Sequence, residues 1–546
     1  GVVVPRAQRI ARPAYQRFQD VTYADKVYDP VEMFFDPGQF SKNAISIAQN
    51  NLRTNWFLSF VNSSEDGVVL GKGRFNQNDV RFNLDHQPLD NLKFSFSAYH
   101  SRSARQELYD DTFFDLINQA PDANLLTPDA DGTPYIYQPD IEGREENPLY
   151  VLSTEDRQRN RARTQGSVGS RYTPFTWLTF DANVSYDRSD RRLNYFLDQG
   201  KKTEGYALGG LGEISQFAGT TNTINAEASA NVLRKFGEIT MRSTARALLE
   251  SEKNELTTAR GQDFAVPAVR SLDNTKTRFV ESSVEQVKAS GYFVTLGGDY
   301  AGKYIADGLV RRDGSSLFGA NERWNTYYRV SGAWRVAQES WWKWGSINEF
   351  KLRASQGTAG GRPGFNDQYE TYTFSTAGGV SKQNLGNKNL RPEHSTETEL
   401  GIDAIVKDRY SVQLSYAKVK TIDQLIQIPL AGFFGYGQQW QNAGTVEGNT
   451  IEGTLEAQLI KRPTLSWKAG LVADRSRNKV TEFDRSCFST QVIGYRCAGV
   501  GLSEMYGVQF LHDKKYLPAD AQARENEFVM NDEGLLVWVG LDASGA

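Results

Sequence analysis

Short and long connections alternate along this chain, and between them lie segments that put an apolar side chain at every second position. The stretch from Trp177 sets Leu178, Phe180, Ala182, Val184 and Tyr186 against Thr179, Asp181, Asn183 and Ser185. The stretch from Thr223 sets Ile224, Ala226, Ala228, Ala230 and Val232 against Asn225, Glu227, Ser229 and Asn231. A strand has a side-chain period of two, so each stretch is a ribbon with one apolar and one polar face. A short turn such as Arg234-Lys235-Phe236-Gly237 follows one strand, and a long polar excursion such as Glu250 to Val284 follows the next. Two-faced strands of about ten residues, joined by short links on one side and long links on the other, predict an all-β fold. The expected architecture is a transmembrane antiparallel β-barrel.

The pattern predicts about sixteen strands, from Ala44–Gln49 to Leu465–Ser476, including Thr223–Leu233, Glu238–Leu248 and Val284–Tyr300. Residues 1–40 form an irregular lead-in, residues 41–480 the barrel strands with long extracellular loops, and residues 481–546 a loop region with an incomplete further part of the barrel. Short links include Thr173 to Thr176, Ala301 to Lys303 and Lys407 to Arg409, where Pro, Gly, Asn and Asp mostly supply the tight geometry. Long links include Ser101 to Thr164, Arg188 to Thr221, Glu250 to Ser283, Thr358 to His394 and Pro429 to Gly444. Asp313 to Asn325 is of middle length, and Ala337 to Asn348 is long for a turn. By barrel convention the short links face the periplasm and the long ones the exterior.

Hydrophobic residues make up 39% of the 546 and mean hydropathy is −0.54, with no run near the ~18 apolar residues of a membrane helix. That excludes a helical membrane protein and leaves a barrel, whose lumen and loops are polar. Aromatics at 12% fit girdles at two interfaces, and would equally fit a soluble carbohydrate-binding β-protein. A soluble sandwich or propeller also alternates, but its links would not sort by length and its outward faces would be polar. The net charge of −4, with no basic block, points away from nucleic acid. Cys487 and Cys497 stand in a polar, Gly-containing stretch with no nearby His, which favours a local disulfide over a metal. The N-terminus lacks the pattern of a signal peptide and the C-terminus does not end on an aromatic strand, so the sequence has the character of an interior piece of a longer protein.

Near the middle stands Arg311-Arg312-Asp313-Gly314-Ser315-Ser316-Leu317-Phe318-Gly319, then Arg323-Trp324 and Ser331-Gly332-Ala333-Trp334-Arg335. This resembles the R-R-D-G-S-S-x-F-G, R-W and S-x-x-W-R blocks of the SusC/RagA family of TonB-linked outer-membrane transporters. Lys351-Leu352-Arg353-Ala354-Ser355, Gly386-Asn387-Lys388-Asn389-Leu390-Arg391-Pro392-Glu393 and Lys420-Thr421-Ile422-Asp423-Gln424-Leu425 are similar to further blocks in the same order. So is Asp29-Pro30-Val31 with Phe34-Phe35 and Gly38. Gly448-Asn449-Thr450-Ile451-Glu452 departs from the family's N-x-G-x-E, and the tail from Cys487 matches only loosely.

The resemblance implies a barrel of about 22 strands around an N-terminal plug. It further implies a SusD-like surface lipoprotein as lid, energy from TonB through a short N-terminal box, and uptake of oligosaccharide or peptide too large for porins. The plug, the box and the last strands are expected to lie outside this chain. A siderophore or vitamin receptor of like architecture, or a surface adhesin or glycan-binding β-protein without transport, stays open at this stage. No catalytic constellation is visible and no cofactor is expected. His86, His100, His394 and His512 are scattered, and the acidic pairs Asp110-Asp111 and Glu145-Glu146 sit in loops. Substrate contact falls to the loop aromatics Tyr135, Tyr137, Phe433, Phe434, Tyr436 and Trp440. Trp341, Trp342 and Trp344 are expected as membrane-interface anchors. Asp181, Asn183, Glu227, Asn231, Arg353, Glu397 and Glu399 are expected to line a wet lumen.

Overall fold

The computed structural model of this chain describes residues 27–119, 124–128, 147–201, 209–374, 379–490 and 493–540. Sixteen strands follow one another in chain order within a single large antiparallel sheet. They are β1 (Phe40–Asn50), β2 (Thr54–Glu65), β3 (Phe75–Leu89), β4 (Leu92–Gln106), β5 (Glu155–Phe175), β6 (Leu178–Leu197), β7 (Glu213–Phe236) and β8 (Ile239–Phe264). The rest are β9 (Thr275–Tyr300), β10 (Tyr304–Ser315), β11 (Trp324–Arg335), β12 (Ile347–Gly361), β13 (Glu393–Val406), β14 (Tyr410–Ile422), β15 (Thr445–Arg462) and β16 (Leu465–Glu482). Sequence neighbours are sheet neighbours throughout, the arrangement that links alternating above and below a sheet produce. The turn between β13 and β14 holds Lys407 and Asp408 both at positive φ, 53° and 52°. That conformation matches the twist of the strands it joins.

Several connections are shorter than the pattern suggested. The excursions Arg188 to Thr221 and Glu250 to Ser283 are largely strand: β6 runs on to Leu197, β7 begins at Glu213, β8 ends at Phe264 and β9 begins at Thr275. These extensions have polar residues on both faces, as in Arg188-Ser189-Asp190-Arg191-Arg192, so they pair their backbones without leaving an apolar alternation. The long link before β13 and the one before β15 also carry short strands. Leu425–Pro429 pairs with Gln438–Asn442, which is joined in parallel by Asn384–Leu385.

The chain divides into two compact units, residues 1–298 with 309–326, and residues 299–308 with 327–546. In the first unit the buried apolar clusters lie away from the strand faces. Short helices Pro30–Phe34, Thr112–Ile117 and Pro148–Thr154 bring Phe34, Leu116, Leu149 and Leu152 together with Val69 and Leu125. Asp29 caps the first of these, its carboxylate accepting from the backbone N–H of Val31 at 2.8 Å, and Pro30 follows in the position where its missing N–H costs nothing. A second cluster joins Phe196, Ile214 and Phe264, which clamp the ends of β6, β7 and β8.

In the second unit Ile426, Ile428 and Ala443 pack with Phe483 and Phe488. A disulfide joins Cys487 to Cys497 across the hairpin Phe488–Thr490/Gly494–Arg496. A further hairpin pairs Phe528–Met530 with Leu536–Trp538. Among the described residues beyond β16, no strand joins the large sheet.

The sheet itself wears its apolar residues outward. Phe180 and Val184 are 44% and 54% exposed, while the alternate residues Asp181, Asn183 and Ser185 are more covered. Phe94, Phe96, Val168, Ile224, Val294, Leu400, Leu414 and Ile451 repeat the arrangement in both units. An apolar surface of that extent in water signals a missing apolar partner, and hydrocarbon is the partner a two-faced sheet accepts.

Candidate functional site

The polar side of the strands is knitted by charge pairs. In the second unit Lys351 of β12 meets Asp403 of β13 at 2.5 Å, and Arg353 bridges Glu399 and Asp403. Gly401 is the direct partner of Arg353, and a Cβ there would fall inside the guanidinium, so this glycine makes room for the network. Arg335 grips Glu349 in a two-pronged bond at 2.8 and 2.7 Å. In the first unit Asp181 accepts from Arg171 at 2.7 Å and from the Asn231 amide at 3.0 Å, and Arg246 lies 3.6 Å from Glu227. Cross-strand pairs of this kind contribute about 0.2–1 kcal/mol each. They place Asp181, Glu227, Asn231, Arg353 and Glu399 together on the polar faces of their units, opposite the apolar side.

The turn between β11 and β12 assembles an aromatic group in the second unit. Trp342 stacks on Phe350 at 5.6 Å and touches Trp341 and Trp344 at 6.1 and 4.9 Å. Trp334 donates its indole N–H to Glu339 at 3.0 Å. The Tyr304 hydroxyl, then Trp334 and Lys303, hold the Glu339 carboxyl below the ordinary carboxylate range. Trp341 and Trp344 remain exposed, while the Trp342 indole N–H donates to the Ile347 carbonyl at 3.4 Å.

The loops before β13 and β15 build the most organised cluster of exposed aromatics in the second unit. Phe433 and Phe434 sit in a single turn of 3₁₀ helix with ring centres 4.2 Å apart, and Phe433 is 84% exposed. Tyr436 points the other way. It is buried, its hydroxyl donates to Glu370 at 2.9 Å, and the Lys382 ammonium stands 4.7 Å over its ring. Tyr372 donates to the same Glu370 oxygen at 2.8 Å. Trp440 lies half-buried in the strand Gln438–Asn442, and its carbonyl accepts from the Asn387 amide at 2.9 Å. The structure thus brings Phe433, Phe434, Tyr436 and Trp440 into one loop group, whereas Tyr135 and Tyr137 lie outside the described residues. Glu370, Tyr372 and Lys382 carried no periodic signal in the sequence and are positioned only by the fold.

Two hydroxyls donating to Glu370, first Tyr372 and then Tyr436, lower its pKa from the ordinary 4.5. A depressed carboxyl contributes its stabilisation above the unfolded value and loses it as pH falls through the folded one. Protection of residues 379–390 from protease is therefore expected to stay flat through neutral pH and to fall only below 4.5. A Glu370→Gln variant should lose this acid step, which limited proteolysis against pH reads directly.

The signature blocks have structural reasons. Arg311 of β10 donates to Asp313 at 2.7 Å, and Arg312 lies over Trp324 at 5.7 Å. The Trp324 ring packs so closely on Gly314 that a Cβ there would meet it at 2.9–3.0 Å. The loop from Gly386 to Glu393 is stitched to later residues. Asn442 receives the Arg391 backbone N–H at 2.9 Å and donates back to the Arg391 carbonyl at 2.7 Å, and Glu393 receives the Leu425 N–H at 2.7 Å. Among the described residues no group of His, Cys, Asp and Glu is arranged to hold a metal ion.

A family model described as TonB dependent receptor-like, beta-barrel matches residues 109–494. TonB-dependent receptor P3 of Formosa agariphila is 25% identical over 479 residues, covering 82% of this chain and 46% of that protein. TonB-dependent receptor SusC of Bacteroides thetaiotaomicron is 26% identical over 207 residues, 35% of this chain and 20% of that protein. Among solved structures, the RagAB peptide importer in the closed-closed state superposes with a TM-score of 0.77 at 18% identity, covering 95% of this chain and 60% of that one. The chain thus spans less than half the length of these two curated relatives.

Proposed function

We propose, from the premise that this chain belongs to the TonB-dependent receptor β-barrel family, that it forms wall and loops of a SusC/RagA-type outer-membrane transporter importing an oligomeric nutrient, oligosaccharide or peptide. The observation that carries the reading is the inverted sheet: apolar side chains exposed on one face, paired charges on the other. In that reading residues 41–480 supply barrel strands with long extracellular loops, and residues 481–546 supply an extracellular loop region and an incomplete further part of the barrel. Transport rather than catalysis is the activity. TonB energises it through a segment contributed by the rest of the protein, and a SusD-like surface lipoprotein covers the loops. The location is the bacterial outer membrane.

Phe433 and Phe434 expose ring faces to the cargo, and Trp440 is a further aromatic of the same loop group. Tyr436, tied to Glu370, positions the turn. The test is uptake of fluorescently labelled oligosaccharides and peptides by cells carrying the full-length protein, with and without a working TonB. Uptake of at least one oligomer class that vanishes without TonB is expected; TonB-independent uptake, or none, would sink the proposal. In the same assay the Phe433→Ala/Phe434→Ala double variant is expected to raise the half-saturating concentration about tenfold, the scale of losing a well-packed aromatic contact. The amount of protein in the membrane should be unchanged.

A further inference from the structure

The polar face of the first unit carries an arginine ladder that its own carboxylates neutralise only in part. Arg157, Arg159, Arg161 and Arg163 occupy every second position of β5, so all four leave the sheet on one side. It is the side of Asp187, which Arg163 holds at 2.5 Å, and the opposite side from Phe180 and Val184. Successive rungs are about 6.6–6.8 Å apart. The register adds two more: Arg105 of β4 is the direct partner of Arg159, and Arg191 of β6 is the direct partner of Arg161. Like charges directly opposed across strands destabilise a sheet.

Three rungs have local partners: Glu155 lies 3.1 Å from Arg157, Glu107 2.8 Å from Arg159 and Asp187 2.5 Å from Arg163. The other three do not. Arg161 donates to the Ser189 hydroxyl at 3.3 Å and acts on the Asp187 carboxylate only through space, and among the described residues no carboxylate lies within ion-pair distance of Arg105, Arg161 or Arg191. All three are exposed, on adjacent rows at the long-connection end of their strands. Aromatic rings flank them. Tyr195 is the partner of Arg157, and Phe217 continues the row of Arg105, Arg159 and Leu193.

We infer that Arg105, Arg161 and Arg191 form a subsite for an acidic oligosaccharide, one whose carboxylate or sulfate groups recur along the chain. A guanidinium fork matches either anion with two parallel N–H bonds, and a fixed array of forks favours a ligand with repeating charge. The Tyr195 ring is covered by Arg157 at 4.9 Å, so the apolar face offered to a pyranose unit is that of Phe217, which shares the Gly219 site with Arg191 and favours a sugar chain over an acidic peptide. The bound anions relieve the repulsion between the opposed arginines, giving the arrangement a use that offsets its cost to the fold. The inference rests on the transporter reading, since it assigns the cargo of that pathway.

The test is calorimetric titration of the detergent-solubilised full-length protein with an oligogalacturonate, a neutral malto-oligosaccharide of equal length and an oligoglutamate. The Arg161→Gln/Arg191→Gln variant is compared with Arg188→Gln, whose side chain bonds Asp190 on the opposite face. Oligogalacturonate is expected to bind in preference to both other probes and to weaken with added salt. Its affinity should drop about tenfold or more in the double variant and stay unchanged in Arg188→Gln. The melting temperature of the double variant should be equal or higher, because an opposed pair of like charges has gone. Equal affinity in the double variant, preference for the neutral sugar or for oligoglutamate, or a lowered melting temperature would each overturn the assignment. Failure of the transporter reading shows separately, as absence of TonB-dependent uptake of every oligomer whichever arginines are present.

Discussion

A Val184→Arg substitution is expected to destabilise the folded protein in a bilayer by about 2–4 kcal/mol, the cost of a cation on the lipid face near mid-membrane. Val184 stands 54% exposed on β6 between Ala182 and Tyr186, with Val168 on one side and Ala226 on the other as its direct partners. Its neighbour Asn183 points to the opposite face, where Asp181 and Glu227 already gather arginines. Asn183→Arg should therefore change stability by less than about 1 kcal/mol. The two substitutions add the same side chain one residue apart, so a denaturant titration in lipid vesicles separates the faces. Equal effects would mean that β6 does not divide lipid from water.

Phe264→Ala is expected to cost about 3–5 kcal/mol of local stability, the usual loss for emptying a buried aromatic site. Phe264 is 1% exposed and stacks on Phe196 at 5.6 Å, with Ile214 completing the cluster. This cluster holds the far ends of β6, β7 and β8 where the strands have no apolar alternation of their own to pack. The variant should keep the membrane-embedded portion intact while the ends of these strands exchange amide hydrogens faster. Hydrogen exchange confined to Leu193–Leu197, Glu213–Phe217 and Gly261–Phe264 is the expected pattern. Loss of protection across the whole sheet would show that the cluster supports the fold globally.

The sixteen strands were legible because a strand between lipid and water must alternate, and Leu178 to Tyr186 or Ile224 to Val232 can do so in one register only. The extension of β7 back to Glu213 and of β8 on to Phe264 was not legible. Beyond the lipid both faces are wet, so Ser215, Gln216, Thr220 and Thr221 mark no side. The family resemblance was readable from Arg311 to Gly319 because Gly314 must yield space to Trp324, a constraint that fixes residue types. The loop group was only half visible. Phe433, Phe434, Tyr436 and Trp440 announce themselves as aromatics near one another in sequence, while Glu370 and Tyr372 meet Tyr436 only through the fold. The arginine ladder was plain as alternation on β5, but its opposed partners Arg105 and Arg191 required the strand register.

The division of the sheet into a lipid side and a water side is open to direct measurement. It is tested most directly by single cysteines placed one at a time from Leu178 to Asp187 in the full-length protein in native outer membranes. The two native cysteines are joined in a disulfide and stay silent. A water-soluble maleimide is expected to label cysteines at the Thr179, Asp181, Asn183 and Ser185 positions and to leave those at Phe180, Ala182 and Val184 unlabelled in the intact membrane. A lipid-phase probe should label Phe180, Ala182 and Val184 positions in the intact membrane, giving a strict period of two. Uniform aqueous labelling along the segment, or labelling without that period, would contradict it.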